Sequence, residues 1–261
     1  LGALCVYCLN EQYQSQTLAM SASARSTPFV LHDIHADVWH AHALSQAVLS
    51  VRATGDAALD AQLPGGGWPI GALTEILQPP GVHSEWRLLL PALAHSGLGP
   101  VVLVGAPHLP FAPALAAQGL AAQRLVWVKA AAPAACLWAC EQALRCAEVA
   151  TVLAWLPQAR SDQLRRLQMA AAEYSKLLFV MRPASAQDEA SPATLRLHLQ
   201  PQATSAQAGA DSLQVQLLKR RGPPLERPMN LQARASRLTL LLASSQAHAL
   251  DCRTSRAWAI G

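Results

Sequence analysis

Apolar positions along this chain change their spacing in a regular order. From residue 54 they are sparse and set among turn residues: Thr54-Gly55, Ala58-Leu59-Asp60, then Leu63-Pro64-Gly65-Gly66-Gly67-Trp68-Pro69-Ile70-Gly71. They close into the β-rich run Leu73-Thr74-Glu75-Ile76-Leu77, open into a Pro/Gly loop over residues 78–85, and close again in a Leu-rich helical segment, residues 88–95. That succession predicts a strand, a loop and a helix. Residues 97–100 break the helix, and Val101-Val102-Leu103-Val104 is a continuous apolar run suited to a buried parallel strand.

The same alternation continues downstream. It predicts a helix over residues 113–119, a strand over 124–128, and a helix over 133–148 opened by Pro133, with Leu137 and Leu144 on one stripe. A strand over 150–157 follows, then a helix over 160–176 with Leu164, Leu167, Ala171 and Tyr174 on one face, then a strand over 177–183. Residues 194–199 and 213–219 alternate apolar and polar, as an antiparallel pair joined by a polar loop does. The fold expected is a single α/β domain: a mainly parallel sheet, helices on both faces, and an antiparallel strand pair toward the C-terminus. Residues 238–243 add one apolar run in a polar stretch, with no clear choice between a docking helix and a frayed tail.

Composition agrees with a folded body, since 52% of the 261 residues are hydrophobic and only 14% are charged. No run reaches the roughly 18 apolar residues of a membrane span, so a cytoplasmic protein is expected. The net charge of +4 is unevenly spread: residues 219–261 hold eight Lys or Arg against Glu226 and Asp251, so the rest of the chain sums to −2. The basic cluster Lys219-Arg220-Arg221, followed by Gly222-Pro223-Pro224, and then Arg227, Arg234 and Arg237, suits phosphate or an acidic protein surface. Cys5 and Cys8 form a lone C-x-x-C with no second pair, and His32, His35, His40 and His42 lack a Cys or carboxylate partner pattern, so no metal is expected. Met20 is read as the natural start.

The loop after the first core strand is where chemistry is expected in such a layout. A phosphate loop needs G-x-x-x-x-G-K-[ST], because small residues let amides close on phosphate, Lys neutralises it and the hydroxyl holds magnesium. With Gln78 at the first Gly position, Gly81 lies within the loop, and His83, Ser84 and Glu85 stand where Gly, Lys and Ser or Thr belong. Glu85 would repel a triphosphate.

The series Thr54-Gly55, Leu59-Asp60, Leu63 through Gly71 and Glu75-Ile76 resembles the core of the RecA and RadA recombinases. With Leu73-Thr74-Glu75, Glu85, Arg87-Leu88-Leu89-Leu90-Pro91-Ala92-Leu93, and the Lys219 to Pro224 cluster, it is more closely similar to the ImuA family of RecA-like accessory proteins. The resemblance implies a RecA-like core over residues 38–222 with a degenerate phosphate loop, an arm over 1–37 that is partly disordered, and a basic tail over 223–261. It also places Pro107 where RecA carries its water-activating Glu, and Trp155 where the magnesium-holding Asp of the Walker B strand belongs. No catalysis and no cofactor are therefore expected. The implied role is a non-catalytic accessory subunit of SOS-induced, error-prone translesion synthesis. Its implied partners are an ImuB-type polymerase adaptor, RecA and, indirectly, a DnaE-type polymerase, with weak DNA contact at most. Two alternatives stay open: a SulA-like division inhibitor that binds FtsZ, and a noncanonical nucleotide-binding ATPase using Gly65 to Gly67 or Gly81.

Overall fold

A computed structural model describes residues 50–95, 97, 99–202, 212–222, 225 and 227–232. All of them lie in one compact unit, Ala41–Gly261. The main sheet contains β3 (Ala72–Gln78), β4 (Val101–Val104), β5 (Leu125–Val128), β6 (Thr151–Trp155), β7 (Leu177–Pro183), β8 (Leu195–Gln202), β9 (Ser212–Lys219) and β10 (Met229–Gln232). Its order is β10-β9-β8-β3-β7-β6-β4-β5. The run from β8 to β5 is parallel throughout, and β9 and β10 add antiparallel edges. A separate two-stranded pair joins β1 (Val51–Arg52) to β2 (Trp68–Pro69).

Helices cover both faces of the parallel strands. On one face α2 (Glu85–Ala94) and α3 (Ala112–Ala117) bury Leu88, Leu89, Leu93 and Leu115 against Leu103, Leu153 and Phe179. On the other, α4 (Pro133–Arg145) and α5 (Ser161–Glu173) bury Cys140, Leu144, Leu164 and Leu167 against Val102, Val104 and Val152. The expected α/β class, the mainly parallel sheet and the antiparallel pair β8–β9 are all present. Among the described residues, no helix is long and apolar enough to cross a membrane.

Local chemistry explains the turns that lead into the sheet. Asp56 caps α1 (Ala57–Asp60) by accepting from the Ala58 and Leu59 amides, and Asp60 Oδ1 accepts from the Thr54 amide at 2.8 Å. This folded turn lies on α2. A Cβ at Gly55, whose φ is +90°, would fall 2.4 Å from Pro91 Cβ, so only glycine permits the approach. Gly67 has the same role for the β1–β2 pair, where a Cβ would meet the Arg52 carbonyl oxygen at 2.3 Å.

Three differences from the sequence reading have physical causes. Helix α2 begins at Glu85, because the loop closes three residues earlier than the Leu run suggests. Strands β1 and β2 are two residues each, too short to carry a period. Strand β10 continues the sheet to Gln232, past the core boundary expected at residue 222. It buries Leu231 and pairs Leu231 with Leu213.

The centre of the sheet holds charge. Glu75 on β3 is fully buried and sits between Arg182 of β7 and Arg196 of β8. Arg182 Nη1 donates to Glu75 Oε1 at 2.9 Å, and Arg196 Nε donates to Oε2 at 2.6 Å. Arg182 Nη2 also donates to Glu189, whose side chain is 56% exposed, and Arg196 donates to the Ala186 and Gln187 carbonyls. Burial alone pushes the Arg182 guanidinium down, but its hydrogen bonds to Glu189 and Glu75 and their charges carry it to a net rise.

Two outcomes are expected for the folded chain. Glu75→Gln leaves two buried guanidinium groups without their shared charge and is expected to cost about 3–5 kcal/mol, read as a lower urea midpoint, whereas Glu189→Gln costs at most about 1 kcal/mol. Burial, then Cys136 and Glu141, push the Cys140 thiol up to about 12, so iodoacetamide at pH 8 should label the exposed Cys146 and spare Cys140 until the chain unfolds.

Candidate functional site

At the C-terminal end of β3 the chain leaves the sheet through a Pro/Gly loop and re-enters as α2. Gly81, with φ +75°, makes the turn, closed by the Val82 amide on the Pro79 carbonyl at 3.1 Å. Gln78 is buried at the strand end and holds the far side of this loop. Its Oε1 accepts from the Ser84 amide at 2.7 Å, and its Nε2 donates to Glu85 Oε2 at 2.8 Å.

Glu85 opens the first turn of α2 and is only 1% exposed. Its second oxygen accepts from Trp155 Nε1 at 3.3 Å, and His83 Nδ1 stands 4.0 Å from the same oxygen. The carboxylate is thus on the positive end of the α2 dipole, where an incoming anion would otherwise be favoured. His83 packs edge to face on His108, ring centroids 5.0 Å apart, which ties this loop to the one after β4.

Above this network lies a crevice of about 260 Å³, walled by Pro79, Pro80, Pro107, Trp155, Met181 and Pro183. The connections after β3 and β4 run to one face and those after β5 and β6 to the other, an arrangement that opens clefts at strand ends in α/β sheets. Gln78, Gly81, His83, Pro107 and Trp155, picked from the sequence, all line this one crevice, with Ser84 and Glu85 buried in the same loop and helix start. The walls are chiefly apolar. A further pocket of about 280 Å³ adjoins across Trp155 and Pro157, toward Cys136 and the start of α4.

The basic residues singled out with them lie elsewhere. Because β9 runs antiparallel, Lys219, Arg220 and Arg221 return to the N-terminal end of β3, about 20 Å from the first crevice along the seven-residue strand. Arg220 and Arg221 border a separate crevice of about 240 Å³ there. Lys219 Nζ donates to the Ser191 carbonyl at 3.1 Å, and Arg227 is exposed before β10. Arg234, Arg237 and the His32 to His42 group lie outside the described residues. Among the described residues, no group of three or more metal-ligating side chains comes together.

The sequence reading passed over the Glu75–Arg182–Arg196 cluster, although Arg182 also borders the first crevice. The available signal was a charged residue in each of three apolar strand runs. No protein-family model matches the chain, and no curated protein matches it.

The loop network makes a measurable claim. Glu85→Ala strands the Gln78 and Trp155 donors and is expected to cost about 2–3 kcal/mol in urea unfolding, Trp155→Phe about 1 kcal/mol, and the double variant less than their sum.

Proposed function

We propose that this chain is a RecA-like protein of the ImuA type, a non-catalytic accessory factor in error-prone translesion synthesis that works by docking onto other proteins. The observation that carries the proposal is Glu85. In a working phosphate loop the start of this helix presents amides, a Lys and a hydroxyl to phosphate. Here the corresponding place holds a buried carboxylate already bonded to Gln78 and Trp155. Pro107 and Trp155, which border the same crevice, bring no acid to hold magnesium or to activate water.

The parallel sheet with helices on both faces suits a RecA-like body, and Glu85 weighs against the alternative of a nucleotide-driven ATPase. The partners in this reading are an ImuB-type adaptor and RecA, with a DnaE-type polymerase reached indirectly. A SulA-like inhibitor that binds FtsZ shares the catalytically empty body, so the decisive comparison is between partners. The expected outcome is that the purified chain retains the adaptor or RecA from the same organism in a pull-down. Retention of FtsZ alone would overturn the accessory role. A truncation to assign the basic tail belongs after Gln232, since cutting after Gly222 also removes β10 from the sheet.

A further inference from the structure

We propose that the crevice at the N-terminal end of β3 is the docking site, and that its occupant is an acidic peptide segment with an apolar anchor, supplied by a partner protein. The inference rests on the accessory reading above and gives it a place and a chemistry. The walls are apolar, formed by Pro64, Pro69, Ile70, Ala72, Ala172 and Leu195.

The neutral polar groups at this crevice are already engaged. Gln168 Oε1 accepts from the Leu73 amide at 2.7 Å while its Nε2 donates to the Gly71 carbonyl at 3.4 Å. The Thr194 amide and hydroxyl both donate to the Leu73 carbonyl, at 3.2 and 3.4 Å. What remains to select a ligand is apolar surface and the exposed guanidinium of Arg221. Arg220 donates through Nη1 to the Gln62 carbonyl, which pins the chain after β9 across to the turn that carries Pro64. Arg221 comes next, exposed, in the turn at Gly222. With Lys219 one residue earlier, three positive charges gather at the end of one strand.

This chemistry selects protein over nucleic acid. Among the described residues, none that lines the crevice is aromatic, so none of them stacks on a base. A peptide that places a Leu or Ile between Ile70 and Leu195, with flanking Asp or Glu at Arg221, uses both features. The charges give orientation and encounter rate, and the apolar anchor gives most of the affinity.

The test is fluorescence anisotropy with the full chain and a labelled peptide, Asp-Glu-Leu-Leu-Ile-Glu-Asp. Saturable binding is expected, at least about tenfold weaker when the acids become Lys or the apolar residues become Ser. Arg221→Glu, at an exposed position whose urea midpoint should not move, is expected to weaken the acidic peptide about fivefold or more and to improve binding of the Lys peptide. Absence of saturable binding, equal binding by Arg221→Glu, or tighter binding of a labelled oligothymidylate of about 15 nucleotides would each overturn the proposal. If Arg221→Glu captures the adaptor or RecA as fully as the parent chain does, the crevice assignment fails and the accessory role stands. If the peptide binds as expected while neither partner is captured, the crevice stands and the accessory role fails.

Discussion

A carboxylate shared by two guanidinium groups inside the sheet fixes how this molecule is assembled. Glu75 bonds to Arg182 on one neighbouring strand and Arg196 on the other, so β7, β3 and β8 are joined by side chains as well as by their backbone ladders. Arg196 also holds the turn over Ala184–Asp188 through two carbonyls. Apolar residues of similar volume would stabilise such a centre as well or better. What the charges add is register, because a one-residue slip of β8 would move Arg196 to the opposite face of the sheet and leave Glu75 with one partner. The parallel half and the antiparallel edge are thereby locked to the same strand.

That strand also sets the two ends of the molecule apart. At its C-terminal end Gln78 passes directly into the Glu85 and Trp155 network, and the start of α2 carries its own buried anion. At its N-terminal end Gly71 and Ala72 open onto apolar walls bordered by Arg220 and Arg221. One end is satisfied internally, and the other presents charge and apolar surface outward. The proposed docking role would use the second end and leave the first as structure.

Much of this was legible in the sequence, for reasons that differ by element. The strands β4, β6 and β7 are buried on both faces, so they read as continuous apolar runs, β3 is as buried but carries Thr74 and Glu75 within it, and β8 and β9 alternate because one face packs and the other is polar. Glu85, His83, Pro107 and Trp155 were picked by matching loop and strand-end positions, and strand order then brought the last three to one crevice with Glu85 buried beside it. The central ion cluster was not legible, since Glu75 lies more than a hundred residues from both arginines and only the placing of β3 between β7 and β8 makes them neighbours. Nor did the sequence show where Lys219 to Arg221 would lie. They were read as the end of the core, ahead of a tail over 223–261, but the antiparallel course of β9 turns them back to the strand origins, and β10 then extends the sheet beyond them.

The central claim is that the start of α2 cannot take a phosphate while Glu85 occupies it. Its most direct test is titration of the full chain with a fluorescent ATP analogue, with and without magnesium. The account predicts no saturable binding in either case. Saturable, magnesium-dependent binding at micromolar concentration would contradict it, and would make the crevice a nucleotide site despite its buried carboxylate.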